Sequence, residues 1–148
     1  MTKKVNSETA EFLKESNAIE GVYDGVSLED AKKAWRYLIG QQKLTEEVIL
    51  KTHRILMANQ PLKPQDKGFW RRCQVWIGER EAPRWEKMNL MTAGWIRAAN
   101  MSADEEVIKK DHVRFEYVHP FVDGNGRIGR MLMNWQRLKW GLPLLTIY

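Results

Sequence analysis

The stretch HPFVDGNGRIGR, residues 119–130, packs one histidine, one acid, three glycines, one asparagine and two arginines into twelve positions. It runs directly into Ile128, Met131, Leu132, Trp135 and Leu138, whose spacing predicts a helix that Gly141 and Pro143 would end. Arg127 and Arg130 then fall in the first turn, at the positive end of the helix dipole. Each cation there costs about 0.3–1 kcal/mol. Gly129 in the same turn costs roughly 1 kcal/mol more than alanine would. Three local penalties so close together call for a compensating anion.

The same stretch supplies a place for one. Gly124, Asn125 and Gly126 let successive backbone N–H groups converge into a nest at a helix N-terminus. Arg127 and Arg130 share a helix face and can fork onto one polyphosphate. Asp123 beside bound phosphates suits a ligand to Mg2+. His119 is the natural proton acceptor near neutral pH. Taken singly, each feature has an ordinary reading: DGNG as a turn, His119 as a core histidine, the arginines as a solvated face. That account leaves the misplaced arginines unexplained.

Elsewhere in the chain, helical patterns dominate. Phe12, Leu13 and Ile19 give a weak apolar face that Gly21 would stop. Ser27 with Asp30 reads as a capping box opening a helix with Ala31, Ala34, Trp35 and Leu38 on its inner face. Thr45 reads as an N-cap followed by two acids. PLKPQDKGF is loop chemistry, and CQVWIGE alternates Val75 and Ile77 against Gln74 and Trp76, which predicts half of a hairpin. After Pro83, helical spacing resumes with Met88, Met91, Trp95 and Ala98. Ser102 with Glu105 reads as a second capping box, for a helix carrying Val107, His112 and Phe115. The expected fold class is all-α with one small β-hairpin.

The chain of 148 residues fits a single domain, 1–148, without repeat or linker. Seven tryptophans point to a core built on large aromatic anchors. A net charge of +5 admits an anionic partner. A basic nucleic-acid-binding or interaction module whose loop grips backbone phosphates is therefore an alternative of a different class. Cys73, the one cysteine, excludes an intramolecular disulfide and suits a reducing compartment. No segment has the apolar run of a signal peptide or a membrane span. The expectation is a soluble, cytoplasmic chain without a membrane partner.

Every fixed position of HPFVDGNGRIGR resembles the signature of the Fic-domain family. Gly68 to Gly78, with Val75 and Ile77, is similar to the family's flap, expected over residues 68–80. The helix with Met88, Leu90 and Trp95, and His112 before His119, fit the pattern as well. The resemblance implies transfer of AMP from ATP to a serine, threonine or tyrosine hydroxyl of a target protein. His119 would be the general base and Phe121 a buried anchor. Asp123 would bind Mg2+, and Gly124, Asn125 and Gly126 would hold the α-phosphate. Arg127 would take the β-phosphate and Arg130 the γ-phosphate. Glycine at 126 favours AMP transfer over the phosphate transfer of related Doc-type kinases, which carry lysine there. Gln74, Val75, Trp76 and Ile77 would pair with an extended target segment. Transfer from another nucleotide or phosphate donor, or removal of AMP from a target, stays open beside this reading.

Ser16-Asn17-Ala18-Ile19-Glu20-Gly21 resembles the family's inhibitory motif, with residues 1–24 as an N-terminal inhibitory segment. Ser16 and Glu20 share a helix face. Glu20 would occupy the Arg130 fork that the γ-phosphate needs. Relatives commonly continue into a further C-terminal helix beyond the point where this chain reaches Tyr148. A partner chain, or self-association as a homo-oligomer, is the corresponding expectation.

Overall fold

A computed structural model describes residues 5–101 and 104–147. Six α-helices occur among them: α1 (Ser7–Ile19), α2 (Gly25–Ile39), α3 (Glu46–Leu56), α4 (Met88–Met101), α5 (Glu105–Val118) and α6 (Asn125–Lys139). Between α3 and α4 lies a two-stranded antiparallel hairpin, β1 (Trp76–Ile77) and β2 (Arg80–Glu81), with Trp76 opposite Glu81 and Ile77 opposite Arg80. The fold is thus helical with a small hairpin, as the periodicities predict.

Helix α6 is the hub. Every residue from Arg127 to Arg137 is buried, and α5, α1 and α2 all pack against it. The core joins Phe12 and Leu13 of α1, Trp35 and Leu38 of α2, and Ile128 and Leu132 of α6. Trp35, Trp95 and Trp135 anchor that core, whereas Trp76, Trp85 and Trp140 lie exposed. The aromatic expectation therefore holds for only part of the tryptophan set. Buried indole N–H groups find main-chain acceptors: Trp95 donates to the Asp111 carbonyl (2.7 Å) and Trp135 to the Gln41 carbonyl (3.0 Å).

Several element boundaries differ from the sequence expectation. Helix α2 starts earlier, because the Asp24 carboxylate accepts from the Ser27 N–H at 2.8 Å and also from its hydroxyl. Asp24, not Ser27, is the N-cap, and Asp30 instead accepts from Asn59 Nδ2. For α5 the cap is Asp104, whose carboxylate accepts from the Val107 N–H; the Ser102 expected there lies outside the described residues. A serine and an aspartate stand near each start in the sequence, and the aspartate is the cap of both helices, later than the serine in α5 and earlier in α2. With α5 so phased, Val107 faces solvent and Ile108, Phe115 and Val118 face inward. Ile19 and Leu138, expected on apolar faces, are also exposed. Thr45 caps α3 as expected.

The hairpin is shorter than CQVWIGE suggests. Gly68 does not belong to it: its N–H donates to His53 Nδ1 (2.9 Å), which ties that segment to α3. Val75 and Ile77 are half-buried and Gln74 and Trp76 exposed, in keeping with the alternation.

Candidate active site

The 119–130 stretch links the C-terminus of α5 to the N-terminus of α6. His119 is the left-handed C-cap of α5 (φ 50°), the one non-glycine positive φ among the described residues. Such a conformation in a side-chain-bearing residue is strained and needs support from its surroundings. Arg71 supplies it. Its Nε donates to the His119 carbonyl at 2.7 Å and its Nη2 to the Val118 carbonyl at 3.2 Å. The same guanidinium reaches the carbonyls of Cys73 and Pro83 at the base of the hairpin. One buried arginine thus pins the hairpin and the histidine turn together.

Phe121 is fully buried and stacks on the His53 ring, with centroids 3.7 Å apart. Asn125 closes the loop: its Oδ1 accepts from the Phe121 N–H and its Nδ2 donates to the Phe121 carbonyl, both at 2.8 Å. The Asn125 side chain is therefore committed to loop closure, and only main-chain groups of this segment face outward to an anion. Gly124, at φ 87°, caps α6, and a Cβ there would meet Met57 Sδ at 2.9 Å and His53 Nε2 at 3.3 Å. Both its conformation and its packing demand glycine.

Helices α1, α2, α3 and α5 each begin with a side chain accepting from a first-turn N–H; α6 has none. The first intrahelical bond of α6 runs from Ile128 N–H to the Gly124 carbonyl, leaving the N–H groups of the turn before it for an external acceptor. Asp123, exposed beside this turn, accepts from the Gly124 N–H at 2.8 Å.

The two arginines differ in their partners. Arg127 is buried and makes only long contacts to neutral groups, Gln60 Oε1 at 3.4 Å and Met57 Sδ at 3.5 Å, while its Nε has no partner among the described residues. Burial lowers its pKa, opposed by the nearby Asp123 and Glu20 charges and reinforced by Arg130. A buried cation with no carboxylate in contact is costly unless an anion completes it. Arg130 is already engaged. Its Nε donates to Ser16 Oγ (2.8 Å), and its Nη2 to the Ser16 carbonyl (2.9 Å) and Glu20 Oε1 (2.9 Å). The sequence expectation set only Glu20 against Arg130; Ser16, expected on the same helix face, meets the same guanidinium. Glu20 leans so closely on Gly126 that a Cβ at that position would collide with its carboxylate.

Burial holds the His119 pKa below the ordinary value, with the Glu116 carbonyl acting the other way, Arg71 and Arg80 lowering it and Glu20 raising it. The imidazole is then neutral at neutral pH, the form able to accept a proton. At the hairpin, Gln74 spends its side chain internally, donating to Glu81 and accepting from the Trp85 N–H. Trp76 stands out at 62% exposed, and the Arg80 guanidinium lies 4.5 Å from the Tyr117 ring centre, tying the hairpin to α5.

His53, Arg71, Gln60 and Glu116 were not singled out from the sequence. His53 had a faint signal, as a polar residue on the inner face of α3 with Ile49 and Leu56. Arg71 had none. Among the described residues no group of three or more His, Cys, Asp or Glu gathers as a metal site. A lone exposed carboxylate beside anion-seeking N–H groups still fits Mg2+, which is commonly held by one or two carboxylates together with substrate phosphates. No helix among the described residues is long and apolar enough to cross a membrane.

The domain is helical, and its last long helix opens without a side-chain cap, with Arg127 and Arg130 in its first turns and a hairpin pinned beside the preceding histidine turn. The Fic/DOC family profile matches residues 43–136, and the chain belongs to that family. Similar curated proteins include the protein adenylyltransferase Fic of Drosophila ananassae, 30% identical over 115 residues covering 74% of this chain and 23% of that one. The protein of the same name from Nematostella vectensis is 29% identical, covering 72% of this chain and 26% of that one. The chain thus spans about a quarter of the length of such relatives. Fic-1 from C. elegans superposes with a TM-score of 0.79 at 22% identity, over 96% of this chain and 51% of that one. A Fic domain containing signaling protein from Bacteroides thetaiotaomicron gives 0.73 at 22% identity, over 94% and 65%. These two likenesses are of fold.

Proposed function

We propose that the chain is a Fic-type protein adenylyltransferase that moves AMP from ATP to a serine, threonine or tyrosine hydroxyl of a target protein and is restrained by its own α1. The observation that carries this reading is the pairing of an uncapped α6 N-terminus with Arg127, a buried cation without a carboxylate in contact. The α6 N–H groups would hold the α-phosphate, Arg127 the β-phosphate and Arg130 the γ-phosphate. Asp123 would hold Mg2+ with the phosphates, and the ion would supply charge neutralisation there. The target oxygen attacks the α-phosphorus, the bond to the β-phosphate oxygen breaks, and pyrophosphate leaves. His119 takes the hydroxyl proton, a role that its burial-lowered pKa suits.

Restraint by α1 is supported by the three bonds from Arg130 to Ser16 and Glu20. They use the guanidinium edge that a γ-phosphate would need. For the target, the main-chain edge of β1 and the exposed Trp76 offer strand pairing beside His119, with Val75 and Ile77 supporting from below; Gln74 serves the hairpin itself. The exposed, unpaired Cys73 suits a reducing compartment such as the cytoplasm.

The test is transfer of label from ATP carrying a radioactive α-phosphate, using the Glu20→Gly variant in a cell extract. Labelled protein should appear, and His119→Ala in the same background should abolish it while Mg2+-ATP binding survives. Label from γ-labelled ATP alone would point to phosphate transfer. Salt-dependent DNA binding with no label from either would support the nucleic-acid module instead.

A further inference from the structure

One buried acid has no part in the chemistry above. Glu116 lies on α5, three residues before His119, and its Oε1 is buried without a hydrogen-bond partner among the described residues. Its carboxyl packs directly on the Cα of Gly129, where a Cβ would collide with it, next to Phe115 and His112. Gly129 immediately precedes Arg130, and the charges of Arg130 and of the Glu20 that clasps it both act on this acid. An unpartnered carboxylate in such a place is costly as an anion and far less so as a neutral acid.

We propose that Glu116 is the second carboxyl group of the Arg130 clasp, holding a proton while Glu20 occupies the guanidinium and becoming its counter-charge when α1 withdraws. This rests on the autoinhibitory reading and goes beyond it: release of the helix expels one proton to solvent. The groups facing Glu116 are few. Arg130 comes from α6 and Glu20 from the end of α1, and His112 stands one turn back on α5. The buried residues of α4 are Met88, Thr92, Trp95 and Ala99, none titratable. Burial, the largest influence, raises the Glu116 pKa to about 7, with Arg130 lowering it and Glu20 raising it further. His112 is shifted down, again mainly by burial, and stays neutral in the same range.

The sign follows from linkage. The clasped form keeps its proton up to about pH 7. In the released form the Glu20 charge is gone and Arg130 faces Glu116 alone, so the proton leaves at lower pH. The clasp is therefore firm under mildly acidic conditions and loosens as pH rises through the clasped-state value. One proton coupled this way shifts the release equilibrium roughly tenfold between about pH 6 and about pH 8.

The experiment is hydrogen exchange of the backbone amides in the last two turns of α1, on the full chain without nucleotide. Rates are corrected for the intrinsic pH dependence and compared at the two ends of that range. Wild type should open roughly tenfold more often at the higher pH, whereas Glu116→Gln should change less than about twofold. Glu20→Gly should open several-fold more often than wild type at the lower pH and show no further pH-linked rise. Equal opening of wild type at both ends, or an undiminished rise in Glu116→Gln, overturns the proposal. If Glu20→Gly protects α1 as well as wild type does, it is the brake itself that fails. Should Glu116→Gln not fold, the wild-type series read against Glu20→Gly decides alone.

Discussion

His53 shows how a single side chain can set the loop between two helices. Its Nδ1 accepts from the Gly68 N–H and its Nε2 donates to the Asp123 carbonyl at 2.8 Å, while its face stacks on Phe121. Those partners allow only the neutral ring, and burial, offset in part by Asp123, depresses its pKa from 6.5 to about 4. A depressed pKa means that the unfolded chain binds the proton more readily. The stability is present above pH 6.5 and is lost as pH falls towards 4. Between about pH 7 and about pH 5 this residue alone should remove roughly 2 kcal/mol. Urea unfolding should show that loss in wild type and not in His53→Gln, which keeps a donor for Asp123; equal losses would refute the assignment. His119, Asp123 and both arginines could be read from the sequence because their rule-breaking is local. His53 could not, since its partner is seventy residues away in the chain and a histidine on an inner helix face is commonplace.

Between elements, the tightest approach is α5 on α6 at Gly129. Alanine there would gain roughly 1 kcal/mol of helix propensity in isolation. Its Cβ, however, would strike the Glu116 carboxyl and come within 3.1 Å of Phe115 Cδ1. Overpacking of that kind costs about 1–3 kcal/mol, so Gly129→Ala should lower the unfolding midpoint rather than raise it. What reads in sequence as a helix-weakening residue is thus a packing requirement. Helix α1 repeats the lesson at its C-terminus. Gly21, at φ 73°, donates to the Ala18 carbonyl and Val22 to the Asn17 carbonyl, a Schellman stop that fixes Glu20 as the C-cap. That stop was legible from Gly21. The starts of α2 and α5 were not, because several capping residues stand near each start and only the packed phase of the helix chooses among them.

Helix α1, the proposed brake, is also part of the core. Phe12 and Leu13 are buried and Phe12 meets Trp35 edge-on at 5.5 Å, so α1 cannot be treated as an appendage. Burying two such side chains is worth about 3–6 kcal/mol, comparable with the whole stability of a small domain. Deleting residues 1–24 should therefore lower Tm steeply, whereas Glu20→Gly, which breaks a half-exposed ion pair, should cost about 1 kcal/mol or less. Equal thermal melts for the deletion and the point variant would contradict this division. The helical fold was legible because its periodicities are local, whereas the clamp by which Arg71 joins hairpin to histidine turn leaves no pattern in sequence. In the function proposed above, the α5–α6 turn is an anion site completed by a nucleotide and closed by Glu20. Calorimetric titration of Mg2+-ATP into Glu20→Gly distinguishes such a site from a plain turn. Saturable one-site heat, weakened in wild type and lost when Arg127→Ala is added, is the predicted result; no heat from the folded Glu20→Gly variant would contradict it.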